Sequence, residues 1–293
     1  MKRIAVTGGS GTPERGIGAV IVKMLADKGL EVVNLDIVPP RQDIGEYRQV
    51  DLTHYGDTFA CLHGCDAVVH LAANANPDFD HFTGAQRFHT NTLATYNVFQ
   101  SAIALGMEKV VWASSETVLG FPFDTYVPLL LPTHDDDPAI PTGSYGMSKA
   151  VCEHLAQHLN RVHGMPFIGL RFCNIYYDSP GHPTGYDHLP PFWDKPVEKK
   201  FNLWGYVDSR DIAQGVWKAL NADIKGARNY TLAAADTNMP QTNAELLALA
   251  FPGKDIALRP GTGEHDTLIG IDRAREELAY DPQYSWRDIL GEP

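Results

Sequence analysis

Two side chains four residues apart carry the clearest chemistry in this chain: Tyr145 and Lys149, in the run Tyr145-Gly146-Met147-Ser148-Lys149. On a helix, positions i and i+4 share one face, a turn apart. A free phenol ionises near pH ~10, too high for a general base at neutral pH. An ammonium roughly 4 Å away, at an effective dielectric of about 20, contributes about 4 kcal/mol, or roughly three pKa units. That places Tyr145 near neutrality, where a general base works best. The pair alone also fits an ordinary half-exposed helix, so the segments before it decide its meaning.

Those segments open with the β-rich run Ile4-Ala5-Val6, followed by Thr7-Gly8-Gly9-Ser10-Gly11 and, after Thr12 to Arg15, Gly16-Ile17-Gly18. A helical pattern runs from about Ala19 to Lys28, with Gly29 placed to end it, and a second strand spans Glu31 to Asp36. This is a β-turn-α-β unit with glycines at its first turn and an acid at its second strand end. Glycines at Gly8, Gly11, Gly16 and Gly18, with Ile17, let backbone N–H groups approach a pyrophosphate at the helix start, and Asp36, followed by Ile37, accepts both ribose hydroxyls. Thr12 to Arg15 look like an insertion in the glycine loop. Arg15 could reach a 2′-phosphate, but the Asp36 carboxylate would repel it, so NAD is expected over NADP.

The elements that must position these groups follow in order. Strand-like runs lie at 47–50, 67–71, 109–113, 167–171 and 228–232, with helical stretches near 54–63, 83–105, 145–163 and 208–221. The alternation predicts an α/β fold: a Rossmann-type doubly wound parallel sheet covered on both faces, with a small C-terminal substrate-binding annex. The expected division is a dinucleotide-binding domain over 1–175, to which 203–232 returns, and a substrate-covering region over 176–202 and 233–293. Residues 176–200 are rich in Pro, Gly, His and aromatics and read as a loop over a pocket; Thr242 and Glu245 read as a capping box for a late helix.

Composition narrows the partners. The 293 residues include 24 basic and 36 acidic ones, a formal charge of −12, which argues against nucleic acid or an anionic membrane surface. No apolar run reaches the roughly 18 residues of a membrane span, and the first residues read as a strand, not a leader. Cys61, Cys65, Cys152 and Cys173 are scattered as reduced cytosolic thiols would be, so a cytoplasmic location is expected. Neither Cys61-Leu62-His63-Gly64-Cys65 nor the pair His154 and His158 completes a metal site, and no metal is expected.

Taken together, Thr7-Gly8-x-x-Gly11, Asp36, Asp51-Leu52, Leu71-Ala72-Ala73, Asn91, Ser114-Ser115-x-x-Val118-x-Gly120, Tyr145-x-x-x-Lys149 and Arg171-Phe172-Cys173-Asn174 resemble the extended short-chain dehydrogenase/reductase family over roughly residues 1–215. That family contains sugar epimerases, dehydratases and related dehydrogenases. The resemblance implies that Asp36 holds the adenosine ribose, Asp51 and Leu52 the adenine, and Leu71 to Ala73 the diphosphate–nicotinamide side. Asn91 would order the active-site helix, and Phe172 would border the cofactor. Ser115 would hydrogen-bond the reacting oxygen, Tyr145 would exchange its proton, and Lys149 would hold the nicotinamide ribose and depress the tyrosine. For Ser114 and Ser115 the alternative is strand-end capping. A homodimer is implied too, pairing the helices near 83–105 and 145–163 through Phe99, Ile103, Val151, Leu155 and Leu159, each of which could equally face its own sheet.

The outcome of the reaction turns on departures from the family pattern. Relatives acting on nucleotide sugars carry an arginine where this chain has Trp204, leaving Arg210, Lys195, Lys199 and Lys200 as substitutes, with surface solvation the expected role of the lysines. Dehydratases place an Asp-Glu pair after the catalytic Ser or Thr, where this chain has Glu116-Thr117, so dehydration is disfavoured. Uronate dehydrogenases carry Asn-His there; an acid instead suits a neutral sugar. Glu116, Thr117, Asn74, Asn76 and Asn174 are the expected readers of substrate hydroxyls, with a solvated loop acid as the alternative for Glu116 and a turn as the alternative for Asn76-Pro77. The expectation is an NAD-dependent oxidoreductase for a small sugar-like substrate. Its alternatives are a nucleotide-sugar epimerase that retains its cofactor and a non-catalytic cofactor sensor on the same fold.

Overall fold

The computed structural model describes residues 1–11, 16–75, 81–123, 126–179, 181–182 and 184–291. The Thr12–Arg15 insertion, with Arg15, and the candidate Asn76 lie outside the described residues.

The first half of the chain alternates as its pattern predicts: β1 (Arg3–Thr7), α1 (Ile17–Asp27), β2 (Glu31–Asp36), β3 (Glu46–Gln49), α2 (Tyr55–Leu62), β4 (Ala67–His70), α3 (His81–Ala104) and β5 (Val110–Ser115). After the short β6 (Leu130–Leu131) come α4 (Ser144–His163), β7 (Phe167–Phe172), β8 (Ile175–Tyr176), α5 (Pro190–Trp193), β9 (Val207–Asp208), α6 (Ser209–Asn221) and β10 (Ala227–Leu232). The chain ends with α7 (Asn243–Ala250), β11 (Ala257–Leu258), α8 (Asp272–Leu278) and α9 (Trp286–Leu290). The main sheet is parallel throughout, in the order β10-β7-β5-β4-β1-β2-β3. Strand order reverses between β1 and β4, the position at which open α/β sheets leave a crevice for ligand.

Local signals account for the elements. In α1 the residues Gly18, Ile21, Val22 and Leu25 are buried, an i, i+3, i+4, i+7 stripe against the sheet. Gly29 ends the turn at φ +80°, donating its N–H to the Ala26 carbonyl. The expected capping box of α7 forms: Glu245 N–H donates to Thr242 Oγ1, and Thr242 N–H donates to Glu245 Oε2. β4, β5 and β7 are buried along their whole length, as central parallel strands must be.

Two apolar layers sandwich the sheet. On one face α2, α3 and α4 pack through Val98, Phe99, Ala156 and Leu159 on Trp112 and Phe167; the Phe99 ring lies 5.5 Å from Trp112 and 4.7 Å from Phe167. On the other face α1 and α6 share one continuous core with Leu246, Phe251, Leu268, Ile271 and Tyr280 from the last sixty residues. The C-terminal region therefore stands on the core of the sheet. Each large apolar side chain buried there contributes roughly 1.5–3 kcal/mol.

Among the residues expected at a dimer face, Phe99 and Leu159 point into their own sheet, and Ile103 and Leu155 pack against the same layer. Among the described residues, the large apolar side chains that α3 and α4 expose are Tyr96, Met147, Val151 and Val162, beside the exposed His154 and His158. Among the described residues no helix is long and apolar enough to cross a membrane, and no cluster of three or more metal-type ligands occurs.

Candidate active site

The crevice begins at the turn after β1. Gly8 sits at φ +70°, and a Cβ there would lie 2.8 Å from the Ala72 backbone nitrogen. A Cβ on Gly18 would come within 2.0 Å of the Gly8 carbonyl, so helix and turn touch only because both residues lack side chains. Gly11 packs in the same way on Gly16. α1 has no side-chain cap and no acid in its first turn, so its N-terminal N–H groups, beginning at Ile17, remain available to an anion.

At the end of β2, Asp36 accepts from the Ser10 N–H at 3.0 Å through one oxygen and from the Ile37 N–H at 2.7 Å through the other. Asn34 supports this arrangement by donating to the Ser10 hydroxyl. Ile37 is exposed beyond it. Asp51 closes a small turn by accepting from Thr53 N–H and Oγ1, while Leu52 is buried and its carbonyl accepts from Asn97. This set fits a dinucleotide: a glycine cradle that a Cβ would fill, an open helix end and a carboxylate anchored beside them.

The wall after β4 is tied to the same turn. Thr7 Oγ1 accepts from the Leu71 and Ala72 N–H groups and contacts His70 Nδ1 at 2.7 Å; His70 Nε2 lies 3.0 Å from Thr95 Oγ1 on α3. Burial pushes the His70 imidazole down to about 3, so it is neutral. Ala73 continues this wall to Asn74. The Asn91 side chain accepts from the Asn74 N–H, donates to the Asn74 carbonyl and reaches Ser148 Oγ at 3.4 Å. Ser148 in turn donates to the Tyr145 carbonyl. Asn91 thus braces the start of α4 against the loop after β4.

At the head of β5 the two serines divide their work. Ser114 donates to Glu153 on α4 at 2.6 Å. Ser115 caps the following 3₁₀ turn by accepting from Thr117 N–H, and also accepts from Thr117 Oγ1 at 2.9 Å. Its own proton is left for the Tyr145 phenol, against which it lies. The structure therefore shows both the capping role and the Ser115–Tyr145 meeting.

Lys149 is buried, and burial pushes its ammonium down to about 8. Its Nζ lies over the Tyr145 ring, 5.6 Å from the centroid, and donates to the Ala113 carbonyl at 2.7 Å. Here an expectation fails: Tyr145 is not brought toward neutrality but pushed up to about 12. Loss of water around the phenol dominates, Ser115 opposes it, and nearby Glu116 adds to it. Burial removes the water that an ionised phenol needs, and the Lys149 ammonium lies over the ring rather than at the oxygen.

Glu116 and Trp204 are both drawn into the interior. Glu116 is buried, not a solvated loop acid, and burial pushes its carboxyl up to about 8. Trp204 is wholly buried in a left-handed backbone conformation at φ +58°, and its indole N–H donates to the Pro196 carbonyl. The substitutes for a phosphate clamp are engaged within the protein. Arg210 binds Asp208 and Asp178 and lies 3.6 Å over Tyr284, Lys199 lies over Phe192, Lys200 over Phe251, and Lys195 pairs with Glu198.

Phe172 ends β7 beside Ser115, and Asn174 follows with its carbonyl accepting from Val207. One step earlier Arg171 is buried and forms a two-pronged pair with Glu153, both bonds 2.8 Å, while its Nη1 donates to the Asp135 carbonyl. The Glu153–Arg171 pair and His70 carry the support of the site and were not anticipated. Glu153 stands one turn beyond Lys149 on the same helix, a position that would have marked it.

The sequence profile of the NAD dependent epimerase/dehydratase family matches residues 4–233. The chain belongs to that family. As a member of the NAD dependent epimerase/dehydratase family it is an NAD-using enzyme. It is 27% identical to a UDP-glucose 4-epimerase of Lacticaseibacillus casei, over 99% of this chain and 94% of that protein. It is 32% identical over 191 residues to an L-arabinose 1-dehydrogenase (NAD(P)(+)) of Haloferax volcanii, covering 58% of this chain and 66% of that one. Among solved structures, a UDP-glucose 4-epimerase of Thermotoga maritima shares the fold with a TM-score of 0.72 at 20% identity, over 99% of this chain and 96% of that one.

Proposed function

We propose that this family member oxidises a carbinol of a free, neutral sugar or sugar derivative, with Ser115, Tyr145 and Lys149 as its catalytic residues. The observation that carries the choice of substrate is Trp204. Where nucleotide-sugar enzymes are expected to hold a phosphate with arginine, this chain buries an indole, and the nearby cations are engaged by its own acids and rings. Similarity to a sugar dehydrogenase agrees with that reading.

Gly8, Gly11, Gly16, Ile17 and Gly18 would hold the NAD diphosphate, Asp36 and Ile37 the adenosine ribose, and Asp51 and Leu52 the adenine. Leu71 to Ala73 and Phe172 would line the nicotinamide side. When bound, NAD supplies the hydride acceptor. Ser115, already relieved of acceptor capacity by Thr117, donates toward the developing alkoxide. Tyr145 Oη takes the hydroxyl proton. Lys149 Nζ, released from the Ala113 carbonyl, holds the ribose and stabilises the tyrosinate that this step requires. Asn74, Thr117 and Asn174 border the opening and would read neighbouring hydroxyls.

The test is NADH absorbance with NAD supplied across neutral aldoses, uronates and nucleotide sugars, beside Tyr145→Phe. Sustained NADH release on neutral aldoses, lowered about 10²–10⁴-fold in the variant, is expected. A changed sugar stereocentre without net NADH would select the second reading, an epimerase, which the full-length similarity to UDP-glucose 4-epimerases favours.

The working unit we propose is a homodimer joined through the exposed faces of α3 and α4, around Tyr96, Met147 and Val151. Val151→Glu is expected to shift the protein to monomer in sedimentation velocity with its helical content unchanged.

A further inference from the structure

Among the described residues Glu116 is a buried acid beside the reacting groups that this chemistry leaves unused. It follows Ser115 directly, and the 3₁₀ turn capped by Ser115 carries its side chain inward, where only 6% of the residue is exposed. The Cys173 thiol and the Asn174 backbone N–H lie against the carboxyl from the end of β7. From the segment before β9, Asn202 Nδ2 donates to Oε1 across 3.4 Å. The first turn of α4 packs on this 3₁₀ turn, where a Cβ on Gly146 would lie 2.9 Å from the Thr117 carbonyl. Tyr145 therefore stands near Glu116 with the Lys149 ammonium over its ring, and Tyr176 on β8 also feels the charge of Glu116. None of the groups that reach the carboxyl itself is a cation.

The polar inventory of this pocket does not close for a carboxylate. Among the described residues Oε2 of Glu116 has no hydrogen-bond partner, and neither has Oδ1 of Asn202. An ionised carboxylate out of water needs a cation or several strong donors; here it would have one long amide bond, one backbone N–H and a weak thiol. Burial with no cation at hand favours the carboxylic acid, whose O–H can turn to the amide oxygen of Asn202. The upward push on Glu116 described above agrees with this reading.

We propose that Glu116 is a positioning residue: it stands behind Ser115 and Tyr145 as a hydrogen-bond-donating acid, and its conversion to carboxylate opposes ionisation of the Tyr145 phenol. Two like charges in one water-poor pocket exclude each other. Raising the pH then both promotes tyrosinate and, through Glu116, resists it, so the two protons leave as a coupled pair. The acid supplies a local limit on how much base Tyr145 presents at alkaline pH. The proposal rests on the reading of Tyr145 as the proton-exchanging group, but its test needs no turnover.

The full-length protein is titrated from neutral to strongly alkaline pH in two ways. Infrared difference spectra of the wild type are expected to show a protonated-carboxyl C=O band at neutral pH that Glu116→Gln removes. Tyrosinate absorbance, with Tyr145→Phe subtracted in each background, is expected to show the Tyr145 midpoint falling by on the order of one pH unit in Glu116→Gln. Glu116→Leu serves as a second neutral variant: loss of charge predicts the same fall for both, whereas a purely structural role predicts that only Leu disturbs the site. Absence of a C=O band sensitive to Glu116, or an unchanged Tyr145 midpoint in both variants, overturns the proposal. Failure to oxidise any sugar would leave both titrations readable and would count against the proposed reaction alone.

Discussion

Replacing Arg171 by methionine is expected to lower the free energy of unfolding by about 3–5 kcal/mol at neutral pH. The guanidinium holds both oxygens of Glu153 and the Asp135 carbonyl in a region where Arg171 and Glu153 are almost fully buried. Asp135 itself is buried and accepts from Thr231 Oγ1. Without the arginine, Glu153 remains out of water without its cation, whereas Asp135 keeps the attraction of Arg273. The loss should shrink at low pH, where those acids take up protons. In Arg171→Met/Glu153→Met much of it should return, because the orphaned charge is gone. Urea unfolding of the three proteins measures this; a single variant no less stable than wild type would refute it. The same pair fixes the rotation of α4, on which Tyr145 and Lys149 lie two turns and one turn before Glu153. NADH release by Arg171→Met should therefore fall even where the protein remains folded.

Glu116→Gln is expected to change stability with the opposite sign, by about 3 kcal/mol in its favour between pH ~5 and ~8. The folded-state value of Glu116 is raised from 4.5 to about 8. Between these two values the unfolded chain has lost the proton and the folded chain keeps it, so wild-type stability declines as pH rises across that interval and levels off above it. Glutamine carries no such proton and has no such slope. Paired urea titrations across the interval should show the variant gaining on the wild type with each step upward. Parallel pH profiles for the two proteins would show that Glu116 ionises as readily in the fold as outside it.

These two effects mark where reading the sequence succeeds and where it stops. The strands at 31–36, 67–70 and 227–232, the stop at Gly29 and the Thr242–Glu245 capping box follow from patterns within a few residues of each other. So does the meeting of Ser115 with Tyr145, because a strand end and the next helix start must face the same crevice. Glu116 was not legible, because the group that reaches it from Asn202 is 86 residues away and nothing near Ser115 signals burial. The elevated Tyr145 phenol failed for the same reason: desolvation is supplied by distant chain, whereas the Lys149 spacing is local. Trp204 looks in sequence like a missing arginine; only the left-handed turn at that position shows that its indole belongs to the core. Phe99 and Leu159 sit on helices with two apolar sides, and spacing alone did not say which side meets the sheet.

The contact of His70 with Thr7 and Thr95 has a directional consequence. Thr7 Oγ1 already accepts two backbone N–H groups, so the proton it keeps must go to Nδ1 of the imidazole. Nδ1 is therefore the bare nitrogen, and the ring proton sits on Nε2, donated to Thr95. Burial holds protonation off to about pH 3, so the ring stays neutral in the fold. The ring acts as a spacer of fixed polarity that stitches the end of β1 to the end of β4 and on to α3. Those are the two strands between which the sheet's order reverses, so an uncharged side-chain link joins their paired ends to α3 at the head of the crevice.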